Sequence, residues 1–205
     1  VGTAPAAGST PKLLKKFQPV LVFHPGEEFR PTTVESFIRD SDLEAATSPT
    51  TWTVVNPSPT PDDLPTSSPP VWRLNQQPCF AGAPLGDLPC YVVGASDEPG
   101  ITVYGRVVKD GKSIVLQYWL FYYDNLYRYP FLPVGAIWQS HEGDWEVVNV
   151  VLTNQKRPVA VGLSEHCSGE TRAWAETERR DGHPTVYIAL GSHANYFEPG
   201  LHEFE

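Results

Sequence analysis

The sequence predicts a mainly β protein, an antiparallel β-sandwich with long loops and one or two short peripheral helices. Three observations lead there. From residue 101 onward, apolar segments of strand length follow one another, each bounded by Gly, Pro, Asn or Asp. Aromatic residues are abundant, with 6 Trp, 9 Tyr and 9 Phe. Pro is very frequent at 21 and Gly adds 16, which suits short strands joined by loops and opposes a helical bundle. The 205 residues suit one domain, 12–205, large enough to bury a sizeable core.

Taken in order, "VGTAPAAGSTP" (1–11) reads as a flexible tail. "STPKLLKKF" has a helix start, with Thr10 able to cap and Pro11 in the first turn. "PVLVFH" (19–24) reads as a strand. Thr32 and Glu35 have capping-box spacing, which predicts a short helix over 33–39. Residues 47–70 carry Pro at 49, 57, 59, 61, 65, 69 and 70, so an irregular loop excursion is expected there. "CFAGAPLGDLPC" encloses a Gly- and Pro-rich loop. A Cys79–Cys90 disulfide would staple it, worth roughly 2–3 kcal/mol, and would place the protein outside the cell; two small buried thiols are the plainer alternative. Cys167 is left over, free or paired with chain that is absent here. No Met occurs, which fits a processed secreted chain or a trimmed one, and the ending "HEFE" leads us to expect further chain beyond Glu205.

The expected strands are 101–108, 113–123, 144–152, 158–164, 171–177 and 184–190. "KDG" (109–111) is a hairpin turn signal. The run 114–123 is apolar on both faces and reads as a central strand. Trp145 and Val147 are expected to be core anchors beside the acids of "HEGDWEVVNV".

Charge narrows the function. The net charge is −9, and no Lys/Arg block exceeds "KK" or "RR", so no phosphate-tracking surface for nucleic acid is expected. No apolar run spans a bilayer, which leaves peripheral membrane contact as the membrane option.

Strand direction supplies the candidate site. If the strands run up and down, the strand expected to end at Asp124 and the return beginning at His141, Asp144 and Glu146 share one rim. His166 and His193 end later strands at that rim. Asp144 and Glu146, two apart, share a strand face that Val148 and Val150 continue inward. Two neighbouring carboxylates repel unless a cation or donor joins them. A set of Asp124, His141, Asp144 and Glu146 suits Ca²⁺, Mg²⁺ or Mn²⁺ better than Zn²⁺. Tyr123, Tyr127, His166 and His193 are expected ligand contacts. The plainer readings are a surface acid pair beside a Trp, a strand-end His166, and core packing for the Tyr/Trp run 118–123. His24, His183 and His202 read as loop or turn residues.

The segments "PVLVFHPGEEFRPTTVESFI", "YWLFYYDN", "HEGDWEVVNVVL", "AVGLSEHCSG" and "HPTVYIALGSHANYF" resemble the vacuolar-protein-sorting-associated-protein-62-like family across roughly residues 18–197. A more distant resemblance is to necrosis- and ethylene-inducing-peptide-like toxins. Their strand ending in Asp is similar to Trp119–Asp124. Their "GHRHDWE" motif falls on His141, Asp144 and Glu146, and their later His on His193. Gly143 departs from the motif, standing where the second His would be, and Glu142 replaces the Arg. The resemblance implies a β-sandwich with a cation at its rim that meets lipid headgroups; it does not carry toxicity over.

Three functions follow. The first is a divalent-metal-binding β-sandwich that recognises a polar small molecule, a glycan or a lipid headgroup at the rim. The second is a metal-dependent hydrolase using the same site, with His193 or Glu142 as proton acceptor. The third is a polar network that pins the strand ends without metal.

Overall fold

The computed structural model describes residues 10–27, 29–76, 100–128, 138–165 and 168–202, with the backbone alone at 10, 126–128 and 138–140. The Cys79–Cys90 bridge, Cys167, His166 and the side chain of Tyr127 lie outside the described residues. The expected fold class is found: mainly β, antiparallel, sandwich-like, with two short helices among the described residues. Two compact units make up the chain. The first comprises 1–27, 103–120 and 145–205, the second 28–102 and 121–144.

The first unit contains α1 (Thr10–Phe17), β1 (Val20–Phe23) and β5 (Tyr104–Asp110). It also holds the leading half of β6 (Ser113–Arg128), the trailing half of β7 (Trp138–Thr153), β8 (Pro158–Glu165), β9 (Ser168–Ala173), β10 (Arg179–Arg180), β11 (His183–Ile188) and β12 (Asn195–Tyr196). One sheet has the order β5-β6-β7-β8-β9. The "KDG" signal is realised as the β5–β6 hairpin, closed at Asp110↔Ser113, with Gly111 at a φ of +55°. The other sheet centres on β11. It takes β12 and β10 antiparallel, and β1 in parallel from Val20↔Thr185 to Phe23↔Ile188.

Period-two alternation builds the core. Leu116, Leu120, Val148, Val150, Leu152, Val161 and Val186 are fully buried. Each such side chain contributes about 1.5–3 kcal/mol. Helix α1 lies so close to β5 that a Cβ on Gly105 would stand 2.8 Å from Leu14 Cδ1. Tyr118 Oη donates to the Leu14 carbonyl at 2.7 Å, and the Phe17 ring meets Trp174 edge-on at 5.9 Å.

In the second unit, β2 (Ser41–Ser48) is the middle of a sheet with β3 (Thr51–Asn56) and β4 (Trp72–Gln76), and helix α2 (Val34–Arg39) precedes it. Phe37 and Ile38 are buried, and the Phe37 ring contacts Phe121 and Tyr123 edge-on at 5.4 Å each. Glu44 holds the sheet laterally, accepting from Arg73 Nε at 2.6 Å and Asn75 Nδ2 at 3.1 Å.

Four expectations are corrected. The stretch 47–70 is not irregular throughout. "TWTVVN" has the β-branched alternation of a strand and pairs with β2, and a 3₁₀ turn at Pro61–Asp63 is closed by a Thr60–Asp63 capping box. The helix cap is Thr33, whose hydroxyl meets Ser36, so the Thr32–Glu35 box does not form. Strand β6 does not stop at Asp124 but runs on to Arg128. Trp145 is 46% exposed and packs on Tyr104 and Trp119. Along β7 the even positions 144, 146, 148 and 150 are buried, whereas Trp145 is exposed and 147 and 149 are part-buried. Apolar character alone had placed Trp145 inside; strand parity places it outside.

Candidate functional site

In the second unit, Asp124 and Asn125 sit inside β6, 0% and 3% exposed, and Asp144 inside β7 at 6%. His141 opens to solvent with 51% of its side chain exposed. Asn125 Nδ2 lies 3.0 Å from His141 Nε2, and that nitrogen is 3.9 Å from Asp144 Oδ1. Thus His141 and Asp144 come together as the sequence predicts, joined by an unforeseen Asn125.

Gly143, between them, has a φ of +64°. A Cβ there would meet Phe37 Cζ at 3.2 Å and Phe121 Cε2 at 3.4 Å. A side chain there would be strained by the left-handed backbone and would press on the Phe37 and Phe121 rings.

Glu142 faces a different partner. Its Oε2 accepts the Gln76 amide N–H at 2.9 Å, and Gln76 Nε2 donates to the Tyr123 carbonyl at 3.2 Å. Tyr123 is buried, and its hydroxyl donates to Asp40 Oδ2 at 2.9 Å. Burial, reinforced by Asp40, pushes that phenol well above its ordinary range. Burial likewise raises the Glu142 carboxyl above its usual value, opposed by the Gln76 N–H and by Arg73.

The folded chain therefore holds the Glu142 proton more tightly than the unfolded chain does. The resulting stabilisation is fully present below the unfolded value and is lost as pH rises through the folded one. Glu142→Gln is expected to gain stability over the parent on that rising limb and to match it at lower pH. Urea midpoints from acid to neutral pH check this, and parallel profiles would contradict it.

In the first unit, Glu146 is 2% exposed. It accepts the Ser164 hydroxyl and, at 3.5 Å, Asn195 Nδ2; Ser164 Oγ in turn accepts the Val147 N–H at 2.8 Å. Asn195 Nδ2 also reaches Ser164 Oγ at 3.3 Å. His193 is fully buried at a φ of +55°, unusual for a residue with a side chain. Its Nε2 lies 3.6 Å from Glu27 Oε1, while Glu27 Oε2 accepts the Gly191 N–H at 2.6 Å.

Sequence reasoning missed Glu27, Ser164, Asn195, Asn125 and Gln76. Glu27 follows from the parallel β1–β11 pairing, which sends 24–27 and 189–193 off the same sheet end; an all-antiparallel expectation hides it. Among the described residues, no three His, Cys, Asp or Glu side chains form a ready-made cage for an ion.

No family model matches the chain. A Saccharomyces cerevisiae chain provisionally named vacuolar protein sorting-associated protein TDA6 is 30% identical over 137 residues, covering 58% of this chain and 28% of its own length. This chain therefore spans less than a third of that relative. Of the solved structures, one described as "Toxin fold for microbial attack and plant defense" superposes with a TM-score of 0.52 at 16% identity, over 95% of this chain and 71% of that one. The "Necrosis and Ethylene inducing Protein 2 from the causal agent of cocoa's Witches Broom disease" gives a TM-score of 0.49 at 17% identity, over 97% and 72%. The chain is similar in sequence to a vacuolar-protein-sorting-associated yeast protein, and its fold is similar to that of the structure described as a toxin fold for microbial attack and plant defense.

Proposed function

We propose that the chain is a β-sandwich recognition protein that binds a polar ligand, a glycan or a lipid headgroup, with the aid of a divalent cation at Asp124, His141 and Asp144. The observation that carries this reading lies in the second unit: the Asp144 carboxylate, buried inside β7, stands beside the solvent-open imidazole of His141, and a second buried carboxylate, Asp124, precedes the Asn125 that meets that ring. A carboxylate taken out of water is costly to keep charged, and a cation offsets that cost. The 3.9 Å between His141 Nε2 and Asp144 Oδ1 is too long for a hydrogen bond. It is within the separation of two ligands that each reach about 2.1 Å to one ion. An oxygen-rich set favours Ca²⁺, Mg²⁺ or Mn²⁺. When bound, the ion would offer positive charge to ligand oxygens. Asn125 Nδ2 shares His141 Nε2, which has one lone pair, so ion binding there would displace the Asn125 contact, and the exposure of the ring gives the ligand access.

The melting temperature tests this. Saturating Ca²⁺, Mg²⁺ or Mn²⁺ is expected to raise it, since a ligand at a hundred times its Kd adds about 2.7 kcal/mol, and chelator is expected to reverse the rise. Glycan-array or vesicle binding should then require the cation. If neither metal nor chelator moves the midpoint, the reading fails.

A second reading has its own support. Glu146 with Ser164 and Asn195, and Glu27 with Gly191 and His193, are carboxylates that already meet protein donors or an imidazole. On this reading those carboxylates pin the strand ends and leave ligand recognition to the second unit.

A further inference from the structure

We infer a second binding site, for a phosphomonoester group, in the first unit. It is a cavity of about 500 Å³ lined by Lys12, Lys15, Lys16, Phe17, Asp181, Gly182 and His183. It shares no residue with the proposed cation site and does not depend on it.

The helix repeat places Lys12, Lys15 and Lys16 on one face of α1, at spacings of three and four. Three ammonium groups thus face a single lining carboxylate, Asp181, in a chain whose net charge is −9. None of the ion pairs among the described residues engages these lysines. Lys16 Nζ lies over the Phe17 ring at 5.1 Å, and Phe17 is buried, so the ring gives the exposed lysines a buried base.

The opposite wall is the β10–β11 turn. Asp181 and Gly182 both take left-handed backbone there, with φ of +52° and +83°. The turn presents His183, whose Nδ1 is held 2.8 Å from the Gln18 carbonyl oxygen. In the imidazolium form Nδ1 donates to that carbonyl and Nε2 is left to donate to a phosphate oxygen.

The helix dipole explains part of this charge: Lys15 and Lys16 stand in the last turn, where cations are favoured. It does not explain Lys12, which lies near the start of the helix, where a cation is disfavoured. Lys12 and Lys16 also repel each other at i, i+4. A multiply charged anion relieves both effects at once. Phosphate oxygens accept from several ammonium groups together, and a cavity of this size admits a phosphorylated polyol. The group can come from a lipid headgroup or from a soluble phosphate ester.

The test uses the whole chain and two probes: calorimetry with inositol hexakisphosphate, and flotation with phosphatidylcholine vesicles with and without phosphatidylinositol phosphate. Binding of the soluble probe alone assigns a soluble ester, and vesicle binding assigns a headgroup; either supports the site. The Lys12→Gln/Lys15→Gln/Lys16→Gln variant is expected to bind about tenfold more weakly or worse, as charge-assisted hydrogen bonds are lost. Asp181→Asn is expected to bind more tightly. Lys109→Gln/Lys112→Gln, on the β5–β6 hairpin, is expected to bind as the parent does. Failure of both probes to bind the parent overturns the proposal, as does unchanged affinity in the triple variant. A loss in the hairpin variant equal to that of the triple variant would show diffuse charge attraction and would also overturn it.

Discussion

Glu146→Ala is expected to destabilise the chain by about 3 kcal/mol or more, because it strands hydrogen-bond donors at a buried site. Glu146 is 2% exposed and Asn195 is fully buried, and the Asn195 amide and the Ser164 hydroxyl both point at that carboxylate. Alanine removes the acceptor and leaves both donors in place. Ser164→Ala breaks a different part of the same network. It removes the acceptor for the Val147 N–H and one donor to Glu146. A double-mutant cycle on the two should therefore be strongly non-additive. Denaturant unfolding followed by Trp fluorescence and circular dichroism reads this out. A Glu146→Ala loss below about 1 kcal/mol would mean that water satisfies the network.

His193→Ala is expected to cost about 2–4 kcal/mol, since it leaves the Glu27 carboxylate buried with its Gly191 contact and without the imidazole beside it. Backbone strain complicates that substitution, because alanine is also disfavoured at a φ of +55°. His193→Asn separates the two effects, because asparagine tolerates left-handed backbone. If asparagine restores most of the stability, the His193 side chain serves conformation. If it does not, the pairing with Glu27 is what the position requires, as expected here. Thermal unfolding of the two variants side by side decides between these outcomes.

The fold class was legible because alternation survives in the strands that build the core. Leu116, Leu120, Val148, Val150 and Val161 fall at the buried positions that a period of two assigns them. Strand β3 was hidden by the prolines around it, although "TWTVVN" contains none. The site was legible only where its residues lie close in sequence. His141 and Asp144 are three apart and meet. His193 has a partner, Glu27, from a segment whose neighbourhood depends on the parallel β1–β11 pairing, and Glu146 meets Ser164 and Asn195 from two separate strands; residue type alone announces neither. Trp145 shows the limit of reading by character: its place on β7 outweighs its hydrophobicity, and it stands outside beside Tyr104 and Trp119.

The most direct test of the central claim is a calorimetric titration of the chelator-treated chain with Ca²⁺, Mg²⁺ and Mn²⁺, repeated on Asp124→Asn/Asp144→Asn. Saturable binding of at least one ion by the parent chain is expected, with its loss in the double variant while both remain folded. No binding by the parent, or the same binding by the variant, would contradict it.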